Sequence, residues 1–178
     1  MLLLHTCCVH CVAYTVGYWR GQGFEVTLLW YNPNIHPYLE HQRRLEALIT
    51  FSRSKSLLII ADQSYDPVKF FQAIAGYEAE RCQKCFHLRL LRAAKIAKEK
   101  SFAVFTTTLL ISPHQKHQLL KEIGEIVAKE TGITFLYHDL RRYYSESRHQ
   151  TKVLNLYRQQ YCGCLYSEWE RYSKAGRK

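Results

Sequence analysis

Acidic residues are scarce in this 178-residue chain: 15 Asp and Glu stand against 25 Lys and Arg, leaving a formal charge of +10. Glycine and proline are scarcer still, at 8 and 4 residues, which excludes collagen-like and low-complexity chains. No run approaches the roughly 18 consecutive apolar residues that a membrane-spanning helix needs, so no membrane association is expected. The longest clean runs, such as Ser56 to Ala61, have the length of a strand. Met1 to His5 has no basic start, and no small-residue cleavage site follows, so no secretory signal is expected. The chain is therefore expected in the reducing cytoplasm, where cysteines serve metal binding or catalysis more often than structural disulfides.

What is present is a hydrophobic content of 47% with 13% aromatics, enough for one substantial core and too rich for a disordered chain. A single α/β domain over residues 1–178 is expected. Short apolar runs at Met1–His5, Glu25–Tyr31, Ser56–Ala61, Phe102–Thr107 and Ile133–Tyr137 read as strands buried on both faces. Helical periods lie between them. In His114–Lys129, Leu119, Leu120, Ile123, Ile126 and Val127 form one face, with Ser112-Pro113 at the entry and Gly132 at the exit. In Cys82–Lys100, Leu90, Ala93, Ala94 and Ala97 form one face while Arg89, Arg92 and Lys95 recur at spacing three on another. The alternation predicts an open, mostly parallel sheet with helices on both faces, and ligands beyond the carboxyl ends of its strands. Residues 141–178 form a basic, helical, aromatic segment of the same domain. Its nine Lys and Arg against three Glu carry +6 of the total charge, interleaved with seven Tyr and Trp. A solvated surface accounts for many charge runs, but this mixture favours RNA, whose phosphates need cations and whose unstacked bases need flat side chains. Arg141, Arg142, Arg148, Lys152 and Arg158 are the candidate contacts.

Seven cysteines fall into three groups: Cys7, Cys8 and Cys11 after the first strand, Cys82 and Cys85 opening a helix, and Cys162 with Cys164 near the end. Cysteines of the first two groups are spaced to converge on an iron–sulfur cluster or a tetrahedral zinc ion, and a helix N-terminus favours the thiolate at Cys82 and Cys85. The adjacent pair Cys7-Cys8 is expected to diverge, which suits a polynuclear cluster better than one ion. Cys162-Gly163-Cys164 reads as a strained two-electron redox couple, as two further metal ligands or as two idle thiols. His5, His10 and His36 lie in loops at the presumed active edge, where each is a proton donor, a metal ligand or a structural residue. Asp62 and Asp66 read as acids or, with more support, as caps ahead of Pro67. The Thr106-Thr107-Thr108 hydroxyls bind phosphate or satisfy a strand end.

Five motifs then resemble one family in order along nearly the whole chain. They are Leu4-His5-x-Cys7-Cys8-x-x-Cys11, Tyr31-Asn32-Pro33-Asn34-Ile35-His36-Pro37 and Arg81-Cys82-x-x-Cys85 with Leu88-Arg89-Leu90. Phe105-Thr106-Thr107-Thr108-Leu109-Leu110-Ile111-Ser112-Pro113 and Tyr157-Arg158-Gln159-Gln160-Tyr161-Cys162-Gly163-Cys164 complete the set. The set is similar to that of the QueH-type, cobalamin-independent epoxyqueuosine reductases. That resemblance implies a nucleotide-binding α/β fold of the HUP and PP-loop kind. It also implies reduction of epoxyqueuosine at the wobble position of a tRNA, with an electron donor of unstated identity. It further implies a 4Fe-4S cluster on Cys7, Cys8, Cys82 and Cys85, a redox-active pair of Cys162 and Cys164, and for Cys11 a place near the cluster or on an additional iron. Asp66 and Tyr65 are weak candidates for the acid, because the loop Asp62-Gln63-Ser64-Tyr65-Asp66 is less acidic than the Asp-Tyr-Asp pattern expected in relatives. Two alternatives remain at this point. A PP-loop tRNA thiolase lacks support, since the loop from His5 to Cys11 has no glycine to cradle phosphate. A zinc-stabilised RNA-binding module without catalysis is the other.

Overall fold

In the computed structural model, which describes residues 1–62 and 64–173, the chain alternates strand and helix around one sheet. Gln63 of the third loop and residues 174–178 of the basic segment lie outside the described residues. The strands are β1 (Leu2–Thr6), β2 (Val26–Trp30), β3 (Ile59–Ala61), β4 (Val104–Thr107) and β5 (Thr134–Phe135), all parallel in the order β3-β2-β1-β4-β5. Among the described residues seven α-helices accompany them: α1 (Val9–Gly21), α2 (Tyr38–Ser54), α3 (Pro67–Ile74), α4 (Arg81–Glu99), α5 (His117–Thr131), α6 (Tyr144–Lys152) and α7 (Leu165–Tyr172).

The period-two geometry of β1 explains the layering. Leu2 and Leu4 pack with Val12 and Val16 of α1 and Leu45 and Leu48 of α2. Leu3, on the opposite face, packs with Leu90 and Ala94 of α4 and Leu120, Ile123 and Val127 of α5. Ala93, Ala94 and Ala97 are fully buried, so α4 lies close against its neighbours. Gly132, at φ 73°, adopts the left-handed conformation that ends α5.

Three details differ from the sequence pattern. Ile126, counted on the apolar face of α5, is 45% exposed. The edge strands β3 and β5 are only partly covered, whereas β1 and β2 are buried throughout, because an edge strand has a neighbour on one side only. β3 also starts at Ile59, not Ser56, since Ser56 sits at φ 47° in the turn leaving α2.

The basic segment is docked on the sheet layer. Ser147 and Thr151 of α6 are fully buried against α1. Ser147 Oγ donates to the His10 carbonyl at 2.5 Å and accepts from the Tyr14 amide at 3.0 Å. Tyr14 stacks on Tyr143 with ring centroids 4.3 Å apart. Among the described residues no helix is long and apolar enough to cross a membrane.

The tightest contact between α5 and β5 yields a test. A Cβ on Gly124 would fall 2.1 Å from Cε1 of Phe135, whose ring also packs on Phe105. Gly124→Ala is expected to cost about 1–3 kcal/mol in urea denaturation through overpacking, reversing the ~1 kcal/mol gain that helix propensity alone would give.

Candidate active site

β1 is central, and the chain turns from it to β2 on one side and later to β4 on the other, so a crevice opens beyond its carboxyl end. The first cysteine loop occupies that point. Cys8 is the last extended residue, at φ −164° and ψ 153°, and α1 begins at Val9. Cys11 falls in the first turn, its amide donating to the Cys8 carbonyl at 3.3 Å. The sulfurs of Cys7, Cys8 and Cys11 consequently lie within 4.8 Å of one another and are buried. The expected divergence of Cys7 and Cys8 is not realised, since their sulfurs lie within 4.8 Å of each other and of the Cys11 sulfur.

Crowding splits their acidity. Hydrogen bonds from Cys11 and then Cys8 hold the Cys7 thiol well below the usual range, with the Arg89 charge acting in the same direction. Cys11 draws Cys8 down, but Cys7 and burial prevail and push Cys8 up to about 12. Cys11 is raised well above its ordinary value by its hydrogen bonds to Cys7 and Cys8. One thiolate among three sulfurs is thus favoured, and it is Cys7. Three mutually close, buried thiols form a donor set suited to a soft metal centre.

Cys82 and Cys85 occupy the first turn of α4, as expected, but they do not enter that close group. Burial pushes both thiols up, Cys85 to about 12, so the helix N-terminus does not produce the thiolates that its position suggested. Cys85 packs with Phe70 and Ile74 of α3, and Cys164 and Tyr166 lie against the same cluster. Cys85 therefore shares its surroundings with Cys164 of the tail, whereas Cys82 packs against the cluster that holds Cys7, Cys8 and Cys11.

The tail pair is held by α2 and the loop ahead of it. Arg44 donates from Nη1 to the Cys162 carbonyl and from Nη2 to the Tyr161 carbonyl, both at 2.9 Å, while its Nε meets Glu40 at 2.7 Å. Tyr157 donates to the other Glu40 oxygen, and Tyr161 donates to the His36 carbonyl at 2.5 Å. The His36 amide donates to the Gly163 carbonyl at 2.8 Å. Gly163 has φ 148°, where any other residue is strained, and a Cβ there would crowd Asn34 and Ile35 at 3.1 Å. Cys164 then caps α7, its sulfur accepting from the Ser167 amide at 3.4 Å. All seven cysteines are free thiols.

These pieces surround one cavity of about 400 Å³. Cys7, Cys8, Cys11 and Cys162 line it together with His10, His114, Tyr144 and the cations Arg148, Arg158 and Arg171. Of the candidate RNA contacts, Arg148 and Arg158 reach the cavity, and Arg148 also lies over the Tyr144 ring at 5.6 Å. Arg142 covers Tyr143 at 4.6 Å, and exposed Lys152 ends α6. Arg141 is already paired with Asp139, at 2.5 Å and 2.9 Å, which lowers the Asp139 carboxyl to about 2 through that hydrogen bond. Arg171, Arg44 and the buried Arg89 were missed in the sequence as parts of the site, because a charged residue on a helix reads as a solvated one.

The remaining candidates sort by partner. His5 is fully buried between Thr107 Oγ1 at 2.9 Å and the Tyr31 carbonyl at 3.2 Å, and burial lowers it to about 3. His36 is likewise neutral, lowered to about 4 by burial, and stacks on Phe71. His10 bonds Thr151 through Nδ1 and lines the cavity, with a buried Nε2 lacking a hydrogen-bond partner. Asp66 caps α3 and pairs with Lys69 at 3.1 Å, and Asp62 accepts from Ser64 at 2.6 Å. Tyr65 packs among His36, Tyr38 and His41. Neither Asp66 nor Tyr65 lines the cavity. Thr106 donates to the Leu136 carbonyl at 2.7 Å and Thr107 accepts from the Leu109 amide at 3.2 Å, so both hydroxyls satisfy the strand end.

A family model described as "Epoxyqueuosine reductase QueH" matches residues 2–170. A protein of that description from Dehalococcoides mccartyi is 51% identical over 173 residues, covering 97% of this chain and 95% of that protein. Its counterpart from Thermotoga maritima is 31% identical over 182 residues, covering 97% and 93%. One from Haemophilus influenzae is 34% identical over 174 residues, covering 93% and 71%.

The clamp on the tail pair is open to test. Arg44→Met leaves the buried Glu40 carboxylate without its cation and releases two carbonyls of the tail. A loss of roughly 3–5 kcal/mol is expected in chemical denaturation. Limited proteolysis is expected to cut between Asn155 and Tyr161 faster than in the unaltered chain.

Proposed function

The chain belongs to the epoxyqueuosine reductase QueH family, and on that premise we propose that it reduces epoxyqueuosine to queuosine at the wobble position of a tRNA in the cytoplasm. The observation that carries this reading is the convergence of Cys162 with Cys7, Cys8 and Cys11 on one cavity rimmed by Arg148, Arg158 and Arg171. Thiols supply electrons and metal ligands, and the cations supply sites for phosphate.

Deoxygenating an epoxide to an alkene consumes two electrons and two protons and releases water. Oxidation of the Cys162 and Cys164 thiols to a disulfide releases two electrons and two protons, so the pair matches the demand of one turnover. An external donor then restores the dithiol. A 4Fe-4S cluster, when bound, supplies electrons singly. The three close sulfurs fit such a soft centre, and burial of the donors fits a site from which water is kept. We assign Cys7, Cys8, Cys82 and Cys85 as cluster ligands, with Cys11 either beside the cluster or serving an additional iron. Arg89, which donates toward Cys85 at 3.9 Å and whose charge also bears on Cys7, supports a common centre for the two cysteine groups.

Other cavity residues bind and orient. Arg158 and Arg171 are exposed at the rim, where anticodon phosphates pass. Tyr144 offers a ring for a base and carries Arg148 over its face. His10 and His114 also line the cavity. Asp66 and Tyr65 remain acid candidates only from the loop ahead of α3.

Anaerobic incubation of the full chain with epoxyqueuosine-containing tRNA and a reductant, followed by nucleoside analysis, is expected to yield queuosine. Unchanged nucleoside, with a colourless protein holding one zinc per chain, overturns the reading. Cys162→Ser is expected to lose turnover, and full turnover with a chemical reductant would remove the dithiol from the chemical step. In tRNA binding against salt, Arg158→Ala is expected to reduce the slope by about one, while Arg141→Ala, already matched by Asp139, leaves it nearly unchanged.

A further inference from the structure

Arg89 follows Cys85 by four residues on α4, so both project from one face of the helix. The sequence pattern puts it on one helix face with Arg92 and Lys95, yet it is 1% exposed. Its Nη2 donates to Asn32 Oδ1 at 3.0 Å, its Nη1 points at the Cys85 sulfur at 3.9 Å, and its buried Nε has no hydrogen-bond partner. Among the described residues, no carboxylate forms an ion pair with it. Arg44 is the contrast: equally buried, it meets Glu40 at 2.7 Å and two backbone carbonyls at 2.9 Å. A guanidinium does not shed its proton in a protein, and burying one without a counter-charge is costly. The groups whose charge bears on Arg89 are thiols from all three cysteine groups, Cys85, Cys7 and Cys162.

We propose that Arg89 is the fixed counter-charge of the cysteine-held metal centre, a positioning residue that favours the reduced, more negative state and so raises the reduction potential. The proposal rests on the iron–sulfur reading above. A centre built on thiolates is anionic and becomes more so on accepting an electron. A cation locked beside a ligand sulfur in a low-dielectric interior therefore stabilises the reduced form more than the oxidised one. Asn32 holds the guanidinium in place, and Asn32 Nδ2 in turn donates to the Thr6 carbonyl at 2.8 Å, at the strand end that leads into Cys7.

The test compares the anaerobically reconstituted full chain with Arg89→Gln and Arg89→Lys. Iron and sulfide content are measured first, then the midpoint potential by redox titration followed by absorption and electron paramagnetic resonance. Arg89→Gln, loaded to the same iron content, is expected to shift to a more negative potential, and Arg89→Lys to stay close to the unaltered chain. An unchanged potential in a fully loaded Arg89→Gln overturns the proposal. Should Arg89→Gln fail to load, Arg89→Lys decides: loading there supports a requirement for charge, and failure of both assigns Arg89 to shape alone and overturns it. An unaltered chain that takes up zinc and no iron defeats the underlying reading instead, and the metal analysis reports that before any variant is compared.

Discussion

A guanidinium withdrawn from water costs several kcal/mol unless charge or hydrogen bonds meet it, and this molecule withdraws two of them around one set of thiols. Arg44 is satisfied by a carboxylate and by the backbone of the tail, so its burial becomes a clamp on chain geometry. Arg89 is satisfied only in part, by one amide oxygen and by sulfur, so its burial becomes an electrostatic bias on the site. Both residues depend on the parallel sheet for their positions. Arg44 comes from α2, packed on one face, and Arg89 from α4, packed on the other. The cysteine loop at the end of β1 lies between them.

The site draws each of its groups from a different length of chain. The first strand contributes three sulfurs because it ends at the centre of the sheet, where the neighbouring connections diverge. The tail contributes Cys162 because Tyr157, Tyr161 and Gly163 are bonded to Glu40, to the His36 carbonyl and to the His36 amide. α6 completes the wall with Tyr144 and Arg148, docked on α1 through Ser147 and Thr151, which are fully buried. The basic segment is thereby folded over the cysteines of the cavity, with Arg158 and Arg171 exposed at its edge.

Local pattern made much of this legible. The alternation of apolar runs and helical periods led to the parallel sheet with helices on both faces, and Gly132 ends α5 where its left-handed φ requires. Asp66 ahead of Pro67 read as a cap, and it is one. Other positions escaped because their role depends on distant partners. Arg89 keeps the spacing of a surface residue, and only its contact with Asn32, 57 positions away, places it inside. Ile126 keeps the spacing of a core residue and is nevertheless 45% exposed. Cys82 and Cys85 sit at a helix start, but burial outweighs the helix end in setting their acidity.

By itself the sequence determined the α/β class, the three cysteine groups, the local excess of positive charge and the family, since each is written in spacing or composition that neighbouring residues settle among themselves. Only the tertiary structure decided which sulfurs stand together, which cations face water and which face thiols, and why a glycine must separate Cys162 from Cys164. Those outcomes follow from long-range packing and from the cost of burying charge, and both are properties of residues that meet in space after the sheet has formed.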